Sequence, residues 1–228
     1  MKIIFSTFFF CLTLNLFSQE KPNFELLDSL YREDQFYATI SYNTISNRPN
    51  GLEQKKFTPS FSFGFLRDIP VNKRRTYAFA LGLGYSINNY NQNLLVTSSN
   101  DFKSYNIIGS NVAYDKNKLI LHYLEVPMEF RWRNSTKESH KFWRVYAGFK
   151  LGYLTYDRTK YVDNTGTFVF ESNSDINKIQ YGTYVAFGYN TWNFYTYYGL
   201  NSIFKSGTLN NENLNIRTLN FGLMFYIL

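Results

Sequence analysis

The sequence predicts an all-β protein: a transmembrane antiparallel up-and-down β-barrel of about eight strands, with short turns at one end and long loops at the other. Three observations predict this fold. Aromatic residues reach 20% of the 228-residue chain, large apolar residues recur at every second position, and short and long connections alternate. Aromatic side chains favour strands because they fit a pleated surface.

The segment TYAFALGLGYSIN, residues 76–88, shows the alternation most clearly. Its large residues share one face: Tyr77, Phe79, Leu81, Leu83, Tyr85 and Ile87. The alternative, a soluble antiparallel sandwich, would turn a polar face towards water, yet the second face here carries mainly Ala, Gly and Ser. In a narrow closed barrel such small residues leave room for a few long side chains in the lumen. The large residues would then face lipid, and closure would pair every backbone group.

Period-two alternation places the eight strands. They are predicted at residues 35–45, 57–67, 76–88, 118–133, 142–156, 178–190, 193–204 and 216–228. Short connections follow the second, fourth and sixth strands. Longer polar connections follow the others, the longest running over residues 89–117. Short periplasmic turns and long outer loops are typical of outer-membrane barrels.

The first residues have the pattern of an export signal. Lys2 is followed by the apolar run IIFSTFFFCLTLNLF and the polar stretch SQE, which predicts a signal peptide over residues 1–19. The run is shorter than the roughly 20 residues of a membrane-spanning helix, the alternative interpretation. Residues 20–34 are predicted as a short periplasmic lead-in and residues 35–228 as the barrel. Cys11, the only cysteine, lies in the signal, which excludes disulfides and cysteine metal sites in the mature chain.

A charged cluster alternates with apolar residues on the strands predicted at 118–133 and 142–156. We expect these side chains to face the lumen together: Glu125, Glu129, Arg131, Arg133, Arg144 and Lys150. Because isolated buried charges are costly, mutual pairing is expected. The cluster predicts either a charge-paired plug or a polar route for ions. Pro127 predicts a bulge between the glutamates, because proline cannot donate to a sheet ladder.

The three tryptophans are predicted to form a periplasmic rim. Trp132 and Trp143 flank one short turn, and Trp192 lies in another. Tryptophan and tyrosine prefer the two membrane–water interfaces. An aromatic rim of this kind favours the membrane barrel over the soluble sandwich.

No catalytic motif, cofactor or metal site is predicted. A lipid-modifying enzyme is the least favoured hypothesis, since it would need a histidine oriented beside Ser or Asp, and neither HExxH nor GxSxG occurs. The two histidines are His122, expected on the outward face of its strand near the outer end, and His140, in a short turn. Both are interpreted as surface residues.

The formal net charge of +7 would fit nucleic-acid binding in a cytosolic protein, but predicted export argues against nucleic acid. The predicted outer loops carry many basic residues: Arg48, Lys55, Lys56, Lys116, Lys118, Arg158, Lys160, Lys205 and Arg217. These either contact the anionic head groups of lipopolysaccharide or belong to ordinary solvated loops.

The segments TYAFALGLGYSINNYNQNL, HYLEVPMEFRWR and HKFWRVYAGFKLGY resemble outer-membrane β-barrel proteins of the Bacteroidota grouped as the PorT-like porin family. The resemblance covers essentially the whole chain after the predicted signal. It implies a non-enzymatic outer-membrane barrel. Through the family's founding member it implies an accessory or assembly part in type IX protein secretion, with proteins of that machinery as partners. A small channel for ions or solutes is the alternative.

Overall fold

The computed structural model describes residues 34–72, 74–99, 102–134 and 142–227. The predicted signal peptide, residues 20–33 of the predicted lead-in, Cys11 and His140 lie outside these ranges. The described residues form these strands: β1 (Gln35–Ser46), β2 (Pro59–Pro70), β3 (Tyr77–Asn91), β4 (Leu94–Ser99), β5 (Phe102–Ile107), β6 (Lys116–Arg133), β7 (Trp143–Asp163), β8 (Gly166–Glu171), β9 (Ile179–Tyr189), β10 (Trp192–Gly199), β11 (Thr208–Leu209), β12 (Glu212–Asn213) and β13 (Arg217–Ile227). Within these ranges no helix is long and apolar enough to cross a bilayer.

Eight of the strands close into an antiparallel barrel, which confirms the predicted fold class. Their order around the wall is β1, β2, β3, β6, β7, β9, β10 and β13. The last strand returns to the first, with pairs running from Phe36 opposite Ile227 to Ser46 opposite Arg217. Pairing of β6 with β7 completes the ring. Closure leaves no wall strand without a partner on either side.

The wall has an apolar outside and a polar or small-residue inside. On β6 the outward residues from the short-turn end are Trp132, Phe130, Met128, Val126 and Leu124, followed by His122. Outward side chains elsewhere are similarly uncovered: Phe36 is 61% exposed and Leu83 is 63% exposed. Among the described residues the apolar face packs against no second sheet, whereas a sandwich would bury it against one.

The apolar band has the height of a membrane. Trp132 and His122 are ten residues apart on β6. At about 3.4 Å per residue and a tilt of about 40°, they are separated by about 26 Å along the barrel axis. The apolar band of outer-membrane barrels is about 25 Å tall. We call the short-turn end, at Trp132, the inner end and the long-loop end the outer end.

The connections alternate in length as predicted, but the long ones are more ordered than the sequence indicated. Residues 190–191 form a tight turn, in which Asn190 adopts a φ of 56°. Residues 89–117, predicted as a polar loop, contain the end of β3, the β4–β5 hairpin and the start of β6. Of the other long connections, the one after β7 carries β8 and the one after β10 carries the β11–β12 hairpin. The outer end is therefore a folded layer.

Several local predictions were wrong. The fifth wall strand, predicted to end at residue 156, continues to Asp163. The seventh wall strand, predicted to end at Phe204, ends at Gly199, because the chain turns inward and buries Phe204 at 5% exposure. The second, predicted to end at residue 67, continues to Pro70. The bulge expected at Pro127 lies instead between His122 and Tyr123, while Pro127 sits in regular register opposite Lys150.

Candidate functional site

The inner end of the lumen holds a network of buried charges. Asp68 on β2 accepts two hydrogen bonds from Arg133, at 2.9 Å from Nη1 and 2.8 Å from Nη2, in a bidentate pair. It also accepts one from Arg131 Nη1 at 2.9 Å. Arg131 Nε donates to Glu129 Oε2 at 2.7 Å. These carboxylates and guanidinium groups are fully buried, and charge-assisted bidentate pairs are among the strongest in proteins.

Tyrosines complete the coordination of Glu129. Its Oε1 accepts hydrogen bonds from the hydroxyls of Tyr184 at 2.7 Å and Tyr226 at 2.8 Å. The guanidinium of Arg131 lies 4.9 Å from the ring centre of Tyr146. Because these residues come from β6, β7, β9 and β13, the network joins strands all around the wall.

Arg144 occupies the same level without a carboxylate partner in the described part of the chain. Its guanidinium is 4.5 Å from the ring centre of Phe142 and 5.3 Å from that of Tyr226. Arg144 is 2% exposed. Cation–π attraction on desolvated aromatic faces offsets part of the cost of burying this charge. We call the following residues the inner plug: Asp68, Glu129, Arg131, Arg133, Arg144, Tyr146, Tyr184 and Tyr226.

A second ion pair lies midway along the lumen. Lys150 Nζ is 3.0 Å from Glu125 Oε2, and both side chains are at most 9% exposed. Lys150 also donates to the hydroxyl of Tyr195 at 3.3 Å. The ammonium group lies between 5.4 and 5.6 Å from the ring centres of Tyr184, Tyr195 and Tyr197. This central pair fills the bore above the inner plug.

Glycines on the wall make room for these tyrosines. A methyl group on Gly148 would collide with the ring of Tyr184, and one on Gly84 would collide with the hydroxyl of Tyr37. The nearly bare face of residues 76–88 is therefore covered from inside by side chains of other strands. The expectation that small residues leave room for long lumen side chains is confirmed.

A small polar cavity separates the central pair from the outer end. Its volume is about 30 Å³, which is space for about two water molecules. Hydroxyl and amide side chains line it: Ser41, Ser60, Ser62, Ser86, Asn88 and Asn220. Tyr90 and Tyr123 bound it on the outer side. The cavity is too small for a solute larger than water.

The outer end is covered by a buried apolar cluster that the loops build. We call the following residues the outer cap: Ile45, Leu52, Tyr90, Leu94, Val96, Tyr105, Leu119, Leu121, Tyr123, Ile176, Ile203, Phe204, Leu209, Leu214 and Ile216. The rings of Tyr105 and Phe204 meet edge to face at 5.5 Å. The Tyr105 hydroxyl donates to Asp175 Oδ2 at 2.9 Å, and burial raises the pKa of this hydroxyl.

All six charges assigned to the lumen from the sequence lie inside it. Four of them, Glu129, Arg131, Arg133 and Arg144, belong to the inner plug, while Glu125 and Lys150 form the central pair.

Asp68, the carboxylate that two of these arginines share, was missed because its strand was predicted to end one residue earlier. The alternation Ser62, Gly64, Leu66, Asp68 is the signal that could have found it, since all four occupy the inward phase of β2.

The three tryptophans lie on the outside of the wall at the inner end. Trp132, Trp143 and Trp192 are 38%, 56% and 63% exposed. Trp192 stacks edge to face on Phe225 at 4.9 Å, and Trp143 lies 5.5 Å from Tyr189. Their level is that of the short turns, where the rim was predicted.

His122 lies on the outward face at the other edge of the apolar band. Its Nδ1 is 2.9 Å from the hydroxyl of Tyr85, and its ring meets Tyr156 edge to face at 5.3 Å. The surroundings of His122 are therefore aromatic.

The described residues contain no group of three or more His, Cys, Asp or Glu side chains able to hold a metal.

Residues 17–205 match the protein family described as outer membrane protein beta-barrel domain. No curated protein sequence matches the chain. Similar solved structures include Ail, the attachment invasion locus protein of Yersinia pestis, in complex with the heparin analogue sucrose octasulfate (9% identity, 86% of this chain, 99% of that chain, TM-score 0.41). A mutant of the Rh. blastica porin is another (10% identity, 86% and 100% coverage, TM-score 0.21). Likenesses of this size support no transfer of function.

Proposed function

The chain belongs to the outer membrane protein beta-barrel domain family, and we propose that it is a non-conducting, non-enzymatic accessory or assembly component that acts through its outer end. The observation that carries the proposal is a lumen filled at three successive levels. The inner plug and the central pair lie below a polar cavity of about 30 Å³, and the outer cap lies above it.

Charge pairing in the lumen favours a plug over an ion route. The guanidinium groups of Arg131 and Arg133 and the carboxylate of Asp68 are fully buried and bound to one another at 2.8–2.9 Å. A hydrated ion would have to displace these bonds and leave buried charges unpaired, which is strongly unfavourable. The alternative function of a small channel is therefore less well supported.

The absence of enzymatic activity is proposed from the environment of His122. A general base needs an oriented partner and an open reaction site within hydrogen-bond reach. Here the bonded neighbour is the Tyr85 hydroxyl, and the ring rests against Tyr156. This arrangement fits an interfacial aromatic residue.

The β7–β8 hairpin is the element best suited to contact a partner protein. Within the described chain β8 pairs with β7 alone, so its other edge keeps free backbone donors and acceptors. Phe168 and Val169 on β8 are 45% and 38% exposed. Exposed apolar edge strands are sites for strand addition by a partner. We propose that a partner of the outer membrane adds a strand or packs here.

The finer assignment follows the resemblance to PorT-like proteins. We propose type IX protein secretion as the process, proteins of its machinery as partners, and outer-membrane lipid and lipopolysaccharide as the surroundings. The segment HYLEVPMEFRWR carries this resemblance, and in the barrel it forms the part of β6 that supplies the inner plug.

Site-specific photo-crosslinking in intact cells tests the proposed partner surface. A photoreactive residue replaces Thr167 or Val169 in β8, and the matched control carries it at the exposed Asn213 of β12. We expect a protein adduct of fixed mass from β8 only, lost when Phe168→Asp is added. Adducts with lipid alone, or equal adducts from Asn213, would count against the surface.

The secretion assignment has a separate test. Gene deletion should reduce secreted cargo in the culture medium, and the wild-type gene should restore it, whereas the Phe168→Asp/Val169→Asp variant should not. Unchanged cargo in the deletion strain would remove the secretion role and leave the non-conducting barrel in place.

A further inference from the structure

Four cationic side chains lie together on the outward face of β6 and β7, beyond the apolar band. Lys118 and Lys160 are directly opposite each other in the ladder, Arg158 is opposite Ile120, and Lys116 is two residues along from Lys118. Residues two apart on a strand share a face. We call Lys116, Lys118, Arg158 and Lys160 the outer cation patch.

The patch places like charges opposite each other, which does not favour the stability of the fold. Directly opposite residues of an antiparallel pair have Cβ atoms about 5 Å apart, and like charges there are destabilising. Arg158 has a partial partner, since its Nε is 3.6 Å from Glu171 Oε1. In the described part of the chain Lys116, Lys118 and Lys160 have no ion-pair partner.

The carboxylates of Glu171 and Asp163, near the patch, already accept other hydrogen bonds. Glu171 accepts a hydrogen bond from the Tyr156 hydroxyl at 2.6 Å in addition to facing Arg158. Asp163 accepts from the backbone N–H of Thr165 at 2.8 Å and from that of Gly166 at 3.2 Å, within its own turn. Asp115 is exposed, and its backbone carbonyl accepts from a further cation, Lys56, at 2.6 Å. The surplus charge on this face is positive.

The patch begins at the depth of the lipid head groups and extends outward from it. Tyr85, His122 and Tyr156 form a row of rings at the outer edge of the apolar band, where tyrosine marks the membrane–water interface. The four cations lie two to six residues beyond this row on β6 and β7. Along tilted strands this places Arg158 about 5 Å, Lys118 and Lys160 about 10 Å and Lys116 about 15 Å beyond the row. The head-group layer begins at the row itself.

We propose that the outer cation patch binds the phosphate groups of a glycolipid in the outer leaflet of the outer membrane. The phosphates would bridge Lys118 and Lys160 from outside and cancel their repulsion, with Lys116 and Arg158 on either side. The acyl chains would lie along the aromatic and apolar outward faces of β3, β6 and β7. The inference goes beyond the proposed accessory role and does not depend on it, because the outward faces of β6 and β7 carry it.

Native mass spectrometry of the detergent-solubilised full chain tests the inference, with diphosphoryl lipid A and its dephosphorylated form as the two probes. The test variant is Lys118→Gln/Lys160→Gln. The matched control is Lys205→Gln/Arg217→Gln, which removes one cation from the connection after β10 and one from the outward face of β13, a strand that borders neither β6 nor β7. We expect the test variant to bind diphosphoryl lipid A on the order of 30-fold more weakly, at about fivefold per cation. The control and Lys118→Arg/Lys160→Arg should bind like the wild type.

Thermal unfolding in lipid-free detergent separates binding from folding. The Gln double variant should melt at the same or a higher temperature than the wild type, because two opposed cations are gone. Equal binding of both lipid A forms, equal binding by wild type and test variant, or an equal loss in the control would overturn the inference. A lower melting temperature of the test variant without lipid would overturn it as well.

Discussion

At the inner end of the lumen two arginines share Asp68, whereas at the outer end Leu94, Tyr105 and Phe204 pack as an apolar cluster. The inner plug rests on wall strands, so its ligands are positioned by the same ladders that close the barrel. The outer cap is built by connections between wall strands and depends on their folding. The two ends are thus filled by different means, by paired charge and by apolar packing.

This difference predicts which substitutions spread through the whole barrel and which stay local. Removing Asp68 from the inner plug takes away the carboxylate that two buried guanidinium groups share. Truncating an apolar side chain of the cap leaves a void that neighbouring cap residues can partly fill by rearranging. The first should lower the stability of the wall, and the second should loosen the outer layer alone.

The largest effect is expected from Asp68→Ala. Two fully buried guanidinium groups then lose their shared carboxylate, and breaking a buried ion pair costs about 3–5 kcal/mol. Urea unfolding in liposomes, followed by tryptophan fluorescence, measures the loss. Asp115→Ala, at an exposed aspartate, is the matched control and should change stability by less than about 0.5 kcal/mol. Equal effects of the two variants would show that the plug does not stabilise the wall.

Leu94→Ala tests the outer cap. Leu94 is 1% exposed, and truncation of a buried leucine costs about 2–5 kcal/mol. We expect faster amide hydrogen exchange and protease cleavage in β4, β5 and residues 200–216, with unchanged heat-modifiable gel mobility. Loss of the folded-barrel band would mean that the cap and the wall unfold as one cooperative unit. That result would contradict the expectation that a cap substitution loosens the outer layer alone.

Gly148→Leu tests whether the tyrosines of the inner plug need the bare wall. The new side chain would collide with Tyr184, whose hydroxyl binds Glu129 at 2.7 Å. Overpacking of this kind costs about 1–3 kcal/mol. Tyr184→Ala added to Gly148→Leu should recover part of the unfolding free energy. Additive losses in the double variant would contradict a direct collision.

Trp192→Ala should have the smallest effect and should leave the inner plug and the outer cap intact. Trp192 lies outside the wall and loses its contact with Phe225 at 4.9 Å, worth about 1 kcal/mol. The expected result is a small decrease in unfolding free energy with unchanged hydrogen exchange in the lumen. Exchange in the lumen that increases as much as in Asp68→Ala would mean that the rim, too, supports the plug.

The wall was predictable from the sequence because each residue of a closed barrel faces either in or out. Period-two alternation around Phe79, Leu81 and Leu83 therefore gave the strands and their sidedness, and it placed Glu129 and Arg131 in the lumen. Alternation could not predict which charges pair. Asp68 is more than sixty residues away in sequence from Arg131 and Arg133, and it meets them only through the register of β2, β3 and β6.

The cap was not predictable by the same reasoning. Leu94 and Tyr105 lie in a stretch rich in Asn and Ser that resembles a solvated loop, and their burial depends on contacts with Ile203 and Phe204 far along the chain. The inward turn after Gly199 has no alternation signal of its own. Alternation along one segment carries no information about its packing against irregular segments far away in sequence.

Current measurement in planar lipid bilayers tests the central claim most directly. We predict that the purified protein gives no stepwise current above the lipid background. Replacing residues 94–107 by a short Gly-Ser linker should leave it silent, because the inner plug and the central pair still fill the bore. A steady open step in the wild type that changes with Glu125→Gln or Arg144→Gln would contradict the account.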